Sequence, residues 1–201
     1  MVQRKKQPEQ TRSAILDAAD HDFSRQGYAG SGLNGIISRA GLTKGALFHH
    51  FPDKRALAKA WIESRLGPAI DGLWIAPLEN VNSLEAFQKI CRARFLELQP
   101  EDAVSSLAAV AAELAARDEM LGGALELVFT AWRSAIAALL ERGKSAGWVH
   151  PSIQPENEAA LIVSAFAGFS VTAKSIRDPE IRRHAFTALD GYLETLRAQQ
   201  S

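Results

Sequence analysis

SGLNGIISRAGLTKGALFHHF, residues 31–51, sets apolar side chains at 33, 36, 40, 42 and 47 around a glycine at 41. Ser31 or Gly32 can cap a short helix carrying Leu33, Ile36, Ile37 and Ala40. Gly41 then reverses the chain, because a residue free to take positive φ is wanted at that point. Leu42 plugs the angle, Thr43 caps a second helix, and Leu47 packs back on the first. Two short helices crossing steeply at a glycine make a helix-turn-helix; the plainer alternative is an αα-hairpin with solvated charges. The second helix turns outward Lys44, Gly45, Ala46, Phe48, His49 and His50, with Lys54 just beyond. Small residues at 45 and 46 let the backbone approach a groove. Lys44 can reach base edges or phosphates, while Thr43 and the free N–H groups of the helix start suit a phosphate oxygen.

Outward from this segment, apolar residues recur at three and four. Ile15, Ala19 and Phe23 form one stripe. Asn82 and Glu85 read as a capping box ahead of Leu84, Phe87, Cys91, Phe95 and Leu98. Val104, Leu107, Ala111 and Leu114 follow, then Leu121, Leu125, Val128, Trp132, Ile136 and Leu139, with Asp118 as a cap between the two. Gly147 ends that long helix after Arg142 and Lys144, cations suited to its carbonyl end. Pro155 and Glu156 start another helix, expected to run to Ile176, and Asp178-Pro179-Glu180 starts the last. A helix beginning near Asp53 meets Pro68, where it is expected to kink or stop. Residues 74–83 are the most loop-like of the chain. No sustained β alternation occurs, so the expectation is an all-α protein of about nine helices.

Ten Lys/Arg face five Asp/Glu in residues 1–60, a balance of +5, whereas residues 61–201 balance at −5. Such asymmetry suggests that the first part meets an anion. A single cysteine excludes an internal disulfide and fits a reducing compartment. No apolar run follows the basic start, so it is not a secretory signal. The longest uncharged run is the fifteen residues 159–173, short of the ~18–20 that cross a bilayer. A cytoplasmic protein with no membrane association is expected.

At TRSAILDAADHDFSRQGY (residues 11–28) and AGLTKGALFHHFPDKRALA (residues 40–58) the chain resembles the DNA-binding domain of the TetR (tetracycline repressor) family of transcriptional regulators. The likeness covers residues 11–61, with the preceding helix, the helix-turn-helix and the start of the next helix in family order. It implies that residues 44–50 are a recognition helix in a major groove. Its implied contact set is Asn34, Thr43, Lys44, Gly45, Ala46, Phe48, His49 and Lys54. In that set Thr43 and Lys54 take phosphates, and Lys44, Ala46 and His49 lie nearest base edges. The family usually has Tyr where Phe48 stands, so a phosphate-directed hydroxyl is missing, and it usually has Ala where Ile37 stands. Gly35 weakens the same helix by about 1 kcal/mol relative to Ala.

Specific reading of a duplex needs two such modules about 34–36 Å apart, hence a homodimer. The helix from Pro155 is apolar nearly all round, and the last helix offers a broad face. Ala165, Phe169, Ile181, Ala185, Leu189, Tyr192 and Leu196 are the candidate interface residues; a monomer core that absorbs them is the alternative. Trp74, Cys91, Phe95, Phe129, Trp132 and Phe166 are candidates to line an effector chamber, with Arg94, Glu126, Thr130 and Arg133 as possible sources of polarity. Each ring taken singly reads equally as ordinary core. Cys91, on an apolar stripe, reads as a buried inert thiol.

No metal is expected, because His49 and His50 point about 100° apart on a helix. No cofactor motif or catalytic set is recognisable. Residues 1–53 are thus expected to form the helix-turn-helix domain, and residues 54–201 the effector-binding and dimerisation domain, bridged by the helix through Pro68. The function read from this is a ligand-responsive repressor that binds a palindromic operator as a dimer and is released by a small apolar or amphipathic effector. The alternatives are a DNA-binding regulator without small-molecule input and, far behind, an all-α enzyme.

Overall fold

A computed structural model of the chain describes residues 3–97, 102–173 and 178–198. The stripes at three and four close into nine helices among the described residues. The first three are α1 (Gln3–Gly30), α2 (Leu33–Ala40) and α3 (Lys44–His50). α4 begins as Lys54–Trp61, and the rest are α5 (Leu84–Glu97), α6 (Ala103–Leu114), α7 (Glu119–Ser145), α8 (Pro155–Thr172) and α9 (Pro179–Glu194). Leu98 and the expected helix end at Ile176 lie outside the described residues. The fold is all-α, with a three-helix head followed by a larger helical body. An isolated antiparallel bridge between Val149 and Arg197 ties the chain end to the α7–α8 loop.

Most ends obey their local chemistry. Gly41 takes φ 65° after α2, and Thr43 Oγ1 accepts from the Ala46 N–H at 3.2 Å to cap α3. Asp53 caps α4 through the Ala56 N–H at 2.7 Å. Asp118 caps α7 through the Leu121 N–H at 3.0 Å, and Asp178 caps α9 through the Glu180 N–H at 2.9 Å. At α2 one of the two expected caps is taken, and at α5 the start differs from expectation. Gly32, with no side chain to offer, occupies the cap of α2, because Ser31 Oγ instead donates to the Gly27 carbonyl at 2.7 Å. At α5 the cap is Ser83 rather than Asn82: its hydroxyl accepts from the Ala86 N–H at 3.2 Å.

Pro68 neither stops nor breaks α4. Beyond Trp61 the rod continues through a π-helical turn (Ile62–Leu66), an α turn (Gly67–Ile70), a second π-helical turn (Asp71–Ile75) and a 3-10 turn (Ala76–Asn80). Proline cannot return an N–H to the Ser64 carbonyl four residues back; Arg65 Nη1 donates to that carbonyl at 2.9 Å instead. The wider turns on either side of the proline accommodate it without ending the helix. The stretch 74–83 is accordingly more helical than its composition suggests.

α1 and α4 run together along one seam. Trp61 is fully buried, its ring 5.1 Å from that of Phe23, and its indole N–H donates to Asp20 Oδ1 at 2.7 Å. One turn on, Arg65 donates to Asp17 Oδ1 at 2.8 Å and to Ser13 Oγ at 2.7 Å. Through this seam a single contiguous apolar core runs from Ile15 in the head to Leu196 in the body. α7 is by length and composition apolar enough to cross a membrane. Here its apolar face is packed against α8, α6 and the α4 rod, with Leu121, Leu125, Trp132, Ile136, Leu139 and Leu140 buried.

Leu47 is the one buried residue of α3, so it alone anchors that helix on α1 and α2. Leu47→Ala is expected to destabilise the protein by about 2–5 kcal/mol, read as a lowered denaturant midpoint, and to weaken DNA binding in parallel.

Candidate nucleic-acid interface and ligand chamber

α3 projects from the head with Leu47 inward and the opposite side free. Thr43, Lys44, Gly45, Phe48 and His49 are exposed there, Ala46 is half-buried, and Asn34 is exposed on the neighbouring α2. Lys44 Nζ lies 5.8 Å from the Phe48 ring centroid, so the ring that stands where a hydroxyl would be shares its face with a cation. The His49 and His50 rings meet edge-on at 5.2 Å. Desolvation, then His49 and Arg12, hold His50 below its ordinary value, which leaves it neutral at neutral pH. Its contribution to this face is therefore shape rather than charge.

Lys54 stands apart from that set. Its Nζ donates to the Tyr28 carbonyl and lies 4.3 Å over the Tyr28 ring, and burial pulls its pKa down. Without a duplex the half-buried ammonium rests on one carbonyl and one π-face of the head, an internal contact that the sequence reading did not include.

In the body, five of the six expected chamber residues are brought together. Trp74, Cys91, Phe95, Trp132 and Phe166 are each at most 2% exposed. Trp74 is 4.3 Å from Phe166 and 4.9 Å from Trp132, ring centre to centre, and Phe95 is 5.8 Å from Phe166. Burial pushes the Cys91 thiol far up, which keeps it protonated and unreactive. Phe129 does not belong with them. Half-buried against the core, it lines an open groove of about 730 Å³ between α6 and α7 with Glu126 and Arg133, at the edge of the face that carries Trp132. Of the four expected polar residues, Glu126 and Thr130 are exposed, and Arg133 donates to Thr130 Oγ1 at 2.9 Å; only Arg94 starts from an inward-facing helix surface. Sequence reasoning passed over Ser106. Its hydroxyl and the Trp132 indole N–H are buried with no hydrogen-bond partner, in an interior where such groups are rare.

The last two helices also differ from expectation. Phe169, Leu189 and Leu196 are buried in the protomer's own core, and Ala165, Ala185 and Tyr192 are half-buried against it. Tyr192 donates to the Glu158 carboxylate. Only Ile181 of that set faces out, 47% exposed. The outward stripe instead runs through Leu161, Ser164, Gly168 and Val171 of α8, and Ile181, His184, Ala188 and Gly191 of α9, all exposed. Steps of three and four select this opposite face of each helix. The signal was available in those small residues, but the bulkier inward stripe outweighs them in the sequence.

Residues 15–61 match a family described as bacterial regulatory proteins, tetR family, and residues 106–189 match one described as tetracyclin repressor-like, C-terminal domain. The A-factor receptor protein of Streptomyces griseus is 30% identical over 167 residues, 83% of this chain and 56% of that protein. The chain thus spans little more than half the length of that relative. The HTH-type transcriptional regulator LmrA of Bacillus subtilis is 30% identical over 132 residues, covering 62% of this chain and 68% of LmrA. The crystal structure of a TetR-family transcriptional regulator from Cytophaga hutchinsonii superposes with a TM-score of 0.85, over 96% of this chain and 98% of that one. At 17% identity that likeness is one of fold.

Two lysines in this site carry opposite expectations. Lys54→Ala is expected to cost about 0.5–1.5 kcal/mol of stability, seen as a lower thermal midpoint. Lys44→Ala is expected to leave the midpoint unchanged and to lower the slope of log affinity against log salt by about 1 on every duplex. Melting curves and anisotropy titrations over a salt series distinguish the two.

Proposed function

The chain belongs to the TetR family of bacterial transcriptional regulators, and from that premise we propose that it is a cytoplasmic, homodimeric, ligand-responsive repressor and not an enzyme. Residues 1–53 act as the DNA-reading unit, and residues 54–201 as the effector-binding and dimerisation unit. The observation that carries this reading is α3: a capped helix held by one buried leucine, with Thr43, Lys44, Gly45, Phe48 and His49 free on its outer side. A basic, small-residue face of that kind suits a major groove, where phosphates set the register and side chains at base edges select the sequence.

Two such helices reading successive grooves require a second copy. The α8–α9 stripe supports one. Leu161, Val171 and Ile181 are 51%, 45% and 47% exposed, interleaved with Ser164, Gly168, Ala188 and Gly191. Small residues between large apolar ones allow helices of two copies to approach closely and bury both stripes. Leu161→Glu sets a charge in that contact. It is expected to give a monomer in sedimentation and to weaken binding to a selected palindromic duplex by about 100-fold or more, while half-site binding survives. A variant that stays dimeric and binds normally would exclude this interface.

An effector is read from the interior of the body. The aromatic cluster Trp74–Trp132–Phe166 supplies apolar walls, and the unpartnered Trp132 N–H is a donor awaiting an acceptor. A small apolar or amphipathic compound with a carbonyl or similar acceptor would match both, and to enter it must part rings whose centres lie 4.3 and 4.9 Å apart. That a relative bears the name A-factor receptor is in keeping with a small-molecule input. By linkage such a ligand and the operator would weaken each other's binding by about 1–3 kcal/mol. Trp132→Phe keeps an aromatic ring, smaller than the indole, and removes the donor. Nile red, a neutral planar probe with a carbonyl, is expected to bind the wild-type chain with a rise in fluorescence and to bind Trp132→Phe about tenfold more weakly. Silence of the probe towards wild type would favour a regulator without small-molecule input.

A further inference from the structure

The body touches the head at a place that no α4 residue alone explains. The turn between α6 and α7 carries Glu113 at its entrance and Asp118 at its exit. Glu113 Oε2 accepts from the Ala29 N–H at 2.8 Å. The approach is so close that any Cβ at Gly27 would fall on the Glu113 carboxylate, and Gly27 takes φ 72°, where α1 kinks. Asp118 receives both arms of Arg55, Nε at 2.5 Å and Nη2 at 2.8 Å. The turn that presents these two carboxylates is itself stiff: the Arg117 and Asp118 N–H groups both donate to the Leu114 carbonyl at 2.9 Å, and Asp118 also caps α7. α7 crosses so near that a Cβ at Gly122 would lie 2.7 Å from the Ala115 carbonyl.

Arg55 is about half-exposed, and an ion pair in such a place contributes little stability. What a two-armed guanidinium–carboxylate pair does supply is direction. One contact reaches the end of α1, past its kink at Gly27, and the other the first turn of α4, so together they oppose rotation of the head about the α1–α4 seam. We infer that Glu113 and Asp118 are positioning residues for operator recognition, which set the angle of the DNA-reading head on the body by gripping the end of α1 and the first turn of α4. Movement of α6 or α7 then turns the head directly.

The test uses the full chain. Spin labels are placed at Ser38→Cys in the head and Ser145→Cys in the body, diluted into unlabelled protein; Cys91 is buried and stays unlabelled. Glu113→Ala with Asp118→Ser removes both grips, since the serine side chain is too short to reach Arg55, while its hydroxyl retains the helix cap. The head–body distance distribution is expected to be narrow in the parent and about twofold broader in the double variant, with Glu113→Gln, which keeps an acceptor oxygen, restoring the parent width. A double variant with the parent's distribution overturns the inference. A second readout rests on the two-headed binding proposed above. Inserting two base pairs between the half-sites of an in-vitro-selected operator is expected to cost the parent about tenfold or more in affinity and the double variant about threefold or less, at equal half-site affinity. Equal spacing penalties also overturn it. Failure of the parent to bind any duplex would sink the operator reading instead, and leave the distance measurement to decide this one.

Discussion

The seam between α1 and α4 is the constraint on which the rest of the molecule depends. Trp61 lies fully buried against Phe23, and its one polar atom is satisfied by Asp20. An indole in such a seat cannot slide, because any shift leaves either a void or an unpaired donor and acceptor. Arg65 repeats the same device one turn further on with Asp17 and Ser13. Head and body therefore share one core, and the boundary expected near residue 53 does not divide the packing.

From that seam the α4 rod carries on past a proline. A helix that ended there would leave Trp74 in a loop; because wide turns absorb the proline, Trp74 arrives on a helical surface and meets Trp132 and Phe166. The same irregular rod lines an apolar cleft of about 280 Å³ with α7, at Gly67, Pro68 and Leu127. The rod is thus both the wall of the aromatic interior and the first element behind the head. This is the physical basis for linking what happens among the rings to what happens at α3.

Two faces of the molecule remain for partners. The α3 face is polar, basic and built on small residues at 45 and 46, whereas the α8–α9 stripe is apolar and built on small residues at 164, 168, 188 and 191. Their chemistries exclude each other: an anionic duplex has no affinity for the stripe, and a second apolar stripe has none for Lys44 and His49. The proposed contacts with nucleic acid and with a second copy would thus use separate surfaces, which charge and hydropathy distinguish.

Local rules carried much of this in advance. Helix number, the caps Thr43, Asp53, Asp118 and Asp178, the positive φ at Gly41 and the outward set on α3 depend on neighbours within a few residues, and those are written in order along the chain. Gly32 caps in preference to Ser31, and Ser83 in place of Asn82, because adjacent residues compete for one cap and geometry picks the winner. The amino-acid sequence by itself thus determined an all-α chain with a helix-turn-helix and an aromatic-rich body. Only the tertiary structure decided that Lys54 donates to the Tyr28 carbonyl, that Phe129 sits at the edge of the buried face, and that Phe169, Leu189 and Leu196 face the core. Each of those outcomes depends on which side of a helix meets a partner distant in sequence, and periodicity fixes the existence of a face without fixing what it will be laid against.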